Sequence, residues 1–211
     1  DNLIARVSAI PGVQSVGTTT QLPLTHCCIN YPVALEGKPT PPPGQDQMAM
    51  LGVASGDYFK AMGIPLRKGR TVNAADARIA VPLIRYWAEQ PNPEGFERSQ
   101  AAPVAVINEA MARRYWPDED PIGKRFRILF SPMVTVVGVV GNVRQTTLDD
   151  DYQAEMYLPP TQEPMREMTL VVRTRSAPLQ LAGAVQAQIR ALDRALPIQQ
   201  IRTMENIVWE S

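Results

Sequence analysis

Apolar residues recur at helical spacing near both ends of the chain and alternate with polar ones in several stretches between. Leu3, Ile4, Val7 and Ile10 share one helical face, and Pro11-Gly12 stops that helix. Residues 13–20 are polar and β-branched and predict a strand. Tyr31, Val33 and Leu35 alternate in a second strand, and Met48 and Met50 lead a third toward Val53. Ser55 is placed to cap a short helix over 56–62 that Gly63 ends, and residues 64–70 form an extended exit. Between 76 and 103 the pattern loosens into one Pro-broken helix (79–89) and a loop rich in Pro, Gly and Glu.

Periodicity returns at Val104. The apolar run 104–107 predicts a strand, Asn108 caps a helix over 109–116, and Pro117 terminates it. Two strands are expected over 124–130 and 134–140. Met168, Leu170 and Val172 alternate in a further strand. Ser176 is expected to cap a helix carrying Leu181, Val185, Ile189 and Leu192 at helical spacing. Pro197 precedes a short expected strand with Ile198 and Ile201, giving a β-α-β unit, and Thr203 caps a last helix with no stop signal. The pattern predicts two α/β modules, the middle one inserted into the outer one.

Composition narrows the function classes. Of 211 residues, 45% are hydrophobic and 20% charged, which suits a packed core rather than disorder. The formal net charge is zero, so no electrostatic footprint for nucleic acid is visible. The one basic run, Lys124-Arg125-Phe126-Arg127, is expected to alternate along a strand and split its charges between two faces. Twenty prolines, about twice the average usage of roughly 5%, predict many short elements with stiff connections. The longest apolar run, 134–140, falls far short of the ~20 residues that cross a bilayer. The first residue is Asp1 and no signal peptide is visible, so further sequence upstream is expected.

Residues for catalysis are scarce. His26 is the sole histidine and limits any Ser-His-Asp or Cys-His arrangement to that residue. Its neighbours Cys27 and Cys28 are adjacent, so they cannot staple distant segments, and no spaced ligand motif completes a metal site. Asp149-Asp150-Asp151 with Gln153 and Glu155 echoes a calcium loop, but Ala154 and Pro160 stand where such a loop needs Gly and Glu. Asp118-Glu119-Asp120 has turn composition and would serve acid-base work only inside a cleft. Gly138-Val139-Val140-Gly141 lacks a phosphate-binding pattern and predicts a close backbone approach or a bulge. No catalytic, cofactor or metal residues are assigned and the chain is expected not to be an enzyme. The candidate contact residues are Ile84, Tyr86 and Trp87, aromatic and apolar side chains in the irregular 76–103 stretch.

The stretch 55–66 (SGDYFKAMGIPL) followed by Gly69-Arg70 resembles the extracytoplasmic (periplasmic) core domain of MacB-like ABC transporter permeases. So do 104–109 (VAVINE) with 112–117 (ARRYWP), 120–125 (DPIGKR) and 136–144 (VVGVVGNVR). Residues 155–159 (EMYLP) and 169–174 (TLVVRT) are similar to the duplicated permeases common in acidobacteria, of the FtsX-like permease superfamily. The resemblance implies an α+β fold with a porter-like α/β module formed by both chain ends, residues 1–70 and 155–211. A smaller sabre-like α/β module, 71–154, is inserted between them. It further implies an inner-membrane protein whose domain is periplasmic and transmits ATP-driven motion while contacting cargo or partners during export. The alternative is an FtsX-like regulatory module that engages a cell-wall enzyme without transport. Implied partners are transmembrane helices of the same permease on both sides, a cytoplasmic ABC ATPase, a second permease copy in a dimer and a possible periplasmic partner. No cofactor and no nucleic acid is implied. The family joins Asp76 to the Val104 strand by a short segment, whereas here residues 77–103 intervene, and this departure is expected to modify a partner or dimer contact.

Overall fold

In a computed structural model of the chain, the residues described are 2–25, 29–39, 41–42, 44–55, 57–73, 76, 103–129, 131–147, 149, 151–175 and 177–211. The elements in chain order are α1 (Asn2–Ser8), β1 (Val13–Thr19), β2 (Asn30–Leu35), β3 (Gln47–Val53), α2 (Tyr58–Met62) and β4 (Leu66–Gly69). Then come β5 (Val104–Asn108), α3 (Glu109–Tyr115), β6 (Arg125–Ile128), β7 (Val134–Val140), β8 (Glu155–Leu158) and β9 (Thr169–Thr174). A 3-10 turn, Pro178–Leu181, leads into α4 (Ala182–Leu192), and α5 (Met204–Glu210) follows. The fold is α+β and dominated by its sheets.

The larger sheet runs β4-β7-β5-β8-β3-β2-β6, and β6 also pairs with β7 through Arg125–Thr135 and Phe126–Val134. Six strands therefore close on themselves, with β4 lying along the remaining length of the same β7 edge. Closure removes free edges, which suits short strands that could not otherwise satisfy their backbone groups. Alternate side chains of all six strands, among them Val33, Ala49, Ile107, Phe126, Val136 and Met156, form one core, to which α3 adds Met111 and Tyr115.

A second core forms on the opposite face of β5 and β8. Val104, Val106 and Tyr157 meet Tyr58 and Phe59 of α2 there, together with Val171 of β9. Phe59 stands edge-on to Tyr157 with ring centroids 5.0 Å apart, the preferred geometry of aromatic pairs. Every residue of β5 and β8 is buried, because each strand serves both cores. Strand β8 pairs parallel with β3 and antiparallel with β5, at the middle of this wall. Its sequence lacks the alternation that marks a half-buried strand, so the sequence pattern does not predict it.

Among the described residues the smaller sheet holds β1 and β9, antiparallel, with α2 packed on both. Its strands come from the two ends of the chain, whereas the large sheet draws on all three sequence segments. Residues 71–154 supply β5, β6 and β7, and 155–211 supply β8.

Three local expectations change. Ser55 does not cap α2. Its hydroxyl accepts the Thr18 amide at 3.0 Å and ties the entry of the helix to β1, while α2 begins at Tyr58 after Asp57 with no side-chain cap. The strand expected around 198–201 does not form: among the described residues no strand offers it a ladder, and Ile201 is 43% exposed. Arg125 and Arg127 share the outer face of β6, with Phe126 and Ile128 inside. The caps at Asn108 and Thr203 form as expected, accepting the Met111 amide at 2.8 Å and the Asn206 amide at 3.2 Å. Gly63 closes α2 in the left-handed region at φ 74°. The predicted Ser176 cap lies outside the described residues.

Gly138 marks the close approach its sequence context suggested. A Cβ there would lie 2.0 Å from the Arg70 carbonyl oxygen, and the β5–β7 register shifts between Ala105 and Val106 beside it. Gly138→Ala is expected to destabilise the domain by about 2–3 kcal/mol, since β4 must lift from β7 to admit the methyl group. Urea unfolding checks this, and an unchanged midpoint would refute the close approach.

Candidate functional site

A polar cluster is set into the wall between the two cores. Asn108 prepares it: its Oδ1 takes both the Met111 amide that starts α3 and the Glu155 amide that starts β8, the latter at 3.0 Å. Its Nδ2 donates to the Gln153 carbonyl at 2.7 Å. One side chain thus fixes where α3 begins and how β8 enters the sheet.

The Glu155 side chain that follows is 1% exposed. Its Oε2 accepts hydrogen bonds from Gln145 Nε2, at 3.0 Å, and from the Tyr157 hydroxyl. Its Oε1 is buried without a partner, as are Oε1 of Gln145 and Oε1 of Gln21. Burial raises the Glu155 carboxyl to about 7, against the lowering effect of its two donors. Burial also drives the Tyr157 phenol well above its ordinary value, and the neighbouring carboxylate adds to this. The Gln145 carbonyl takes the Leu24 amide at 2.8 Å, which links the cluster to the loop after β1. A carboxyl buried in this way is proton-sensitive near neutral pH. Sequence reasoning placed Glu155 in an acidic group and missed this role. The available signal was a glutamate opening a run that is apolar at both strand parities, where it must be buried.

Glu119 of the acidic turn 118–120 lines a groove of about 200 Å³ beside β4 and α3, together with Trp116 and Pro117. Three carboxylates near it, Glu109, Glu119 and Asp120, each have a cation. Arg67 lies 3.5 Å from Glu109, Lys68 lies 3.7 Å from Asp120, and Lys124 binds Glu119. The hydrogen bond and charge of Lys124 hold the Glu119 carboxyl below its ordinary range, the opposite of what a general acid needs. Arg125 is bound by Glu36 across β2 and β6, so the outer face of β6 forms no uncompensated basic patch at this position. Asp149 and Asp151 are exposed while Glu155 is buried, so the calcium-loop echo does not converge. Among the described residues no group of three or more His, Cys, Asp or Glu could hold a metal ion.

His26, Cys27 and Cys28 lie outside the described residues, as do Ile84, Tyr86 and Trp87. The flanks of the 77–103 segment are described. Arg70 makes a two-pronged ion pair with Asp76, at 2.7 and 2.9 Å. The buried Gln162 accepts the Val104 amide at 3.2 Å and reaches the Asp76 carbonyl at 3.4 Å, holding both flanks with one side chain.

Exposed apolar side chains gather in the last part of the chain: Leu179, Leu192, Leu196, Ile201, Val208 and Trp209, the last 89% exposed. No described helix is long and apolar enough to cross a membrane.

A family model for the MacB-like periplasmic core domain matches residues 3–192. Among solved structures, the periplasmic region of MacB from Actinobacillus actinomycetemcomitans is similar at 15% identity, with 90% of this chain and 72% of that chain covered and a TM-score of 0.53. The extracellular domain of the noncanonic ABC-type transporter YknZ from Gram-positive bacteria is similar at 16% identity, 92% and 82% coverage and a TM-score of 0.51. A domain of a proposed permease from Porphyromonas gingivalis shares 20% identity over 97% of this chain and 86% of that one, with a TM-score of 0.53. No curated protein sequence matches it.

The Glu155 cluster has a consequence for stability. The native carboxyl keeps its proton up to about 7, whereas an unfolded one titrates near 4.5. The native state therefore binds more protons between those values, and the associated stability, whole below pH 4.5, is lost as pH rises through 7. The loss is expected to be on the order of 3 kcal/mol, and Glu155→Gln should flatten the profile over this window. Chemical denaturation at pH 4.5 and pH 8 tests it: equal slopes for the native chain and the variant would remove Glu155 as the cause.

Proposed function

The chain belongs to the family of MacB-like periplasmic core domains, and from that premise we propose that it relays ATP-driven motion in an ABC transporter permease and contacts cargo or partner proteins during export. The match to the family over residues 3–192 carries this reading. ATP is hydrolysed by a separate cytoplasmic ATPase, transmembrane helices of the same permease flank the domain, and a second permease copy forms a dimer with it. A periplasmic partner completes the set. The domain has no chemistry of its own.

The packing supports a mechanical role. Two cores share the wall of β5 and β8, so displacement of one core displaces the other, and the buried polar cluster sits inside that wall. A relay needs such a body more than it needs a reactive group. The segment 77–103, which contains Ile84, Tyr86 and Trp87, provides the partner or dimer contact in this reading.

The test uses the permease with its ATPase in lipid nanodiscs and a spin label on the exposed Lys60 of each copy. Addition of ATP is expected to change the label-to-label distance by several ångströms, the scale of a rigid-body rearrangement. An unchanged distance during active transport would defeat the relay. Motion without transport, with capture of a cell-wall enzyme, would instead identify a regulatory module. Deletion of residues 79–100 is expected to weaken dimerisation and transport together, and unchanged values of both would exclude a contact role for the segment.

A further inference from the structure

Two of the buried polar atoms that lack a partner belong to residues already bonded to each other: Oε1 of Gln145 and Oε1 of Glu155. With Glu155 ionised both are acceptors, and neither can satisfy the other. A carboxylic acid and a primary amide each carry their two polar atoms side by side. The bond from Gln145 Nε2 to Glu155 Oε2 therefore lets the remaining oxygens meet across a small ring. A proton on Glu155 Oε1 makes that atom a donor, and one hydrogen bond then satisfies both oxygens.

Gln145 ties this pair to the loop after β1. Its main-chain carbonyl accepts the Leu24 amide at 2.8 Å. Leu24 is buried with φ 67°, a left-handed backbone that leucine seldom adopts. The near end of the loop is fixed separately. Thr20 donates its amide to Val53 at 2.9 Å, and the Gln21 carbonyl accepts the Thr19 hydroxyl at 3.0 Å.

We propose that Glu155 and Gln145 form a proton-operated latch on residues 20–24. A proton on Glu155 Oε1, donated to Gln145 Oε1, closes the ring and holds Leu24, and loss of that proton to solvent opens it. Only the O–H bond breaks in this step. It leaves a buried negative oxygen against the Gln145 oxygen, and both then need other donors. The Gln145 side chain must swing away, drawing its carbonyl from Leu24, whose strained backbone relaxes. The described surroundings hold no cation that would keep the charge in place. Tyr157 of the same strand donates to Oε2, and Tyr58 of α2 lies behind it with ring centroids 6.3 Å apart. The flanking strands β3 and β5 carry no ionisable side chain. On α3, Glu109 turns to Arg67 and Arg114 to the Tyr115 ring, while Arg144 stacks on Tyr152. Burial places the carboxyl at about 7, so the latch is closed below neutral pH and open above it. It acts on one loop, apart from the overall stability of the wall and whatever the domain relays.

NMR on the 211-residue chain tests it. The Glu155 carboxyl carbon should titrate with a midpoint near 7. Protection of the Leu24 amide, corrected for the intrinsic exchange rate, should fall roughly tenfold between pH 6 and pH 8. Urea below the unfolding transition should leave Leu24 exchange at pH 8 unchanged, because a local opening exposes little surface. In Glu155→Gln the new amide donates to Gln145 Oε1 as the acid did, so Leu24 should stay protected at both pH values. In Gln145→Met the ring cannot close, and Leu24 protection should be low at both, while the Thr20 amide at the fixed end keeps its protection. A Glu155 carbon that does not titrate between pH 6 and pH 8 would overturn the latch, without need of any variant. So would an equal fall at Leu24 in Glu155→Gln, which would assign the effect to another group. Leu24 exchange that rises with urea in step with the β5 amides would mark global unfolding and overturn it as well.

Discussion

Strands β5 and β8 are solvent-free on both faces, and the rest of the domain is arranged around that condition. A strand buried on both sides must satisfy every backbone group within the sheet, because no water reaches it. The closed ring of six strands does this on one side, and α2 with the small sheet covers the other. The aromatic contact between Phe59 and Tyr157 is where the two halves meet across the wall. Removing either core would expose an apolar face of the remaining one, so the halves stand or fall together.

The same condition explains why the polar cluster is so strongly constrained. Asn108 uses its whole side-chain amide to join a helix start to a strand start. Glu155 is carried into the interior by the strand it begins, and burial rather than a neighbouring charge sets its protonation. Outside the wall, charge behaves differently. Glu36, Glu109, Glu119 and Asp120 each meet a cation at the surface, in contacts that solvent weakens and that fix orientation more than stability.

Much of the fold was legible where local chemistry decides. Asn108 and Thr203 cap their helices, Gly63 ends α2 in the left-handed region, and the strands over 13–19, 30–35, 47–53 and 134–140 follow from alternation or β-branched runs. What was not legible depends on partners far away in the chain. The run 155–158 is a strand because β3 and β5 flank it, whereas among the described residues no strand flanks 198–201. Ser55 has the residue type of a cap, yet the Thr18 amide reaches its hydroxyl first. Of the site residues, Glu155 was visible as an acid but not as a buried one. Burial is a property of both faces of a strand, and a sequence pattern reports them together.

The anchoring of the 77–103 segment carries a further meaning. Its two flanks lead from β4 and into β5, strands that lie on either edge of β7, and Gln162 bonds to both Asp76 and Val104. The ends of the excursion are therefore fixed by the body of the domain, whatever lies between them. Under loop-closure entropy, doubling such a segment costs only about 0.6 kcal/mol. The position works as a socket, closed by residues that belong to the body of the domain. Diversity between relatives is then cheapest at this point, and selection can reshape what the domain touches without renegotiating how it folds.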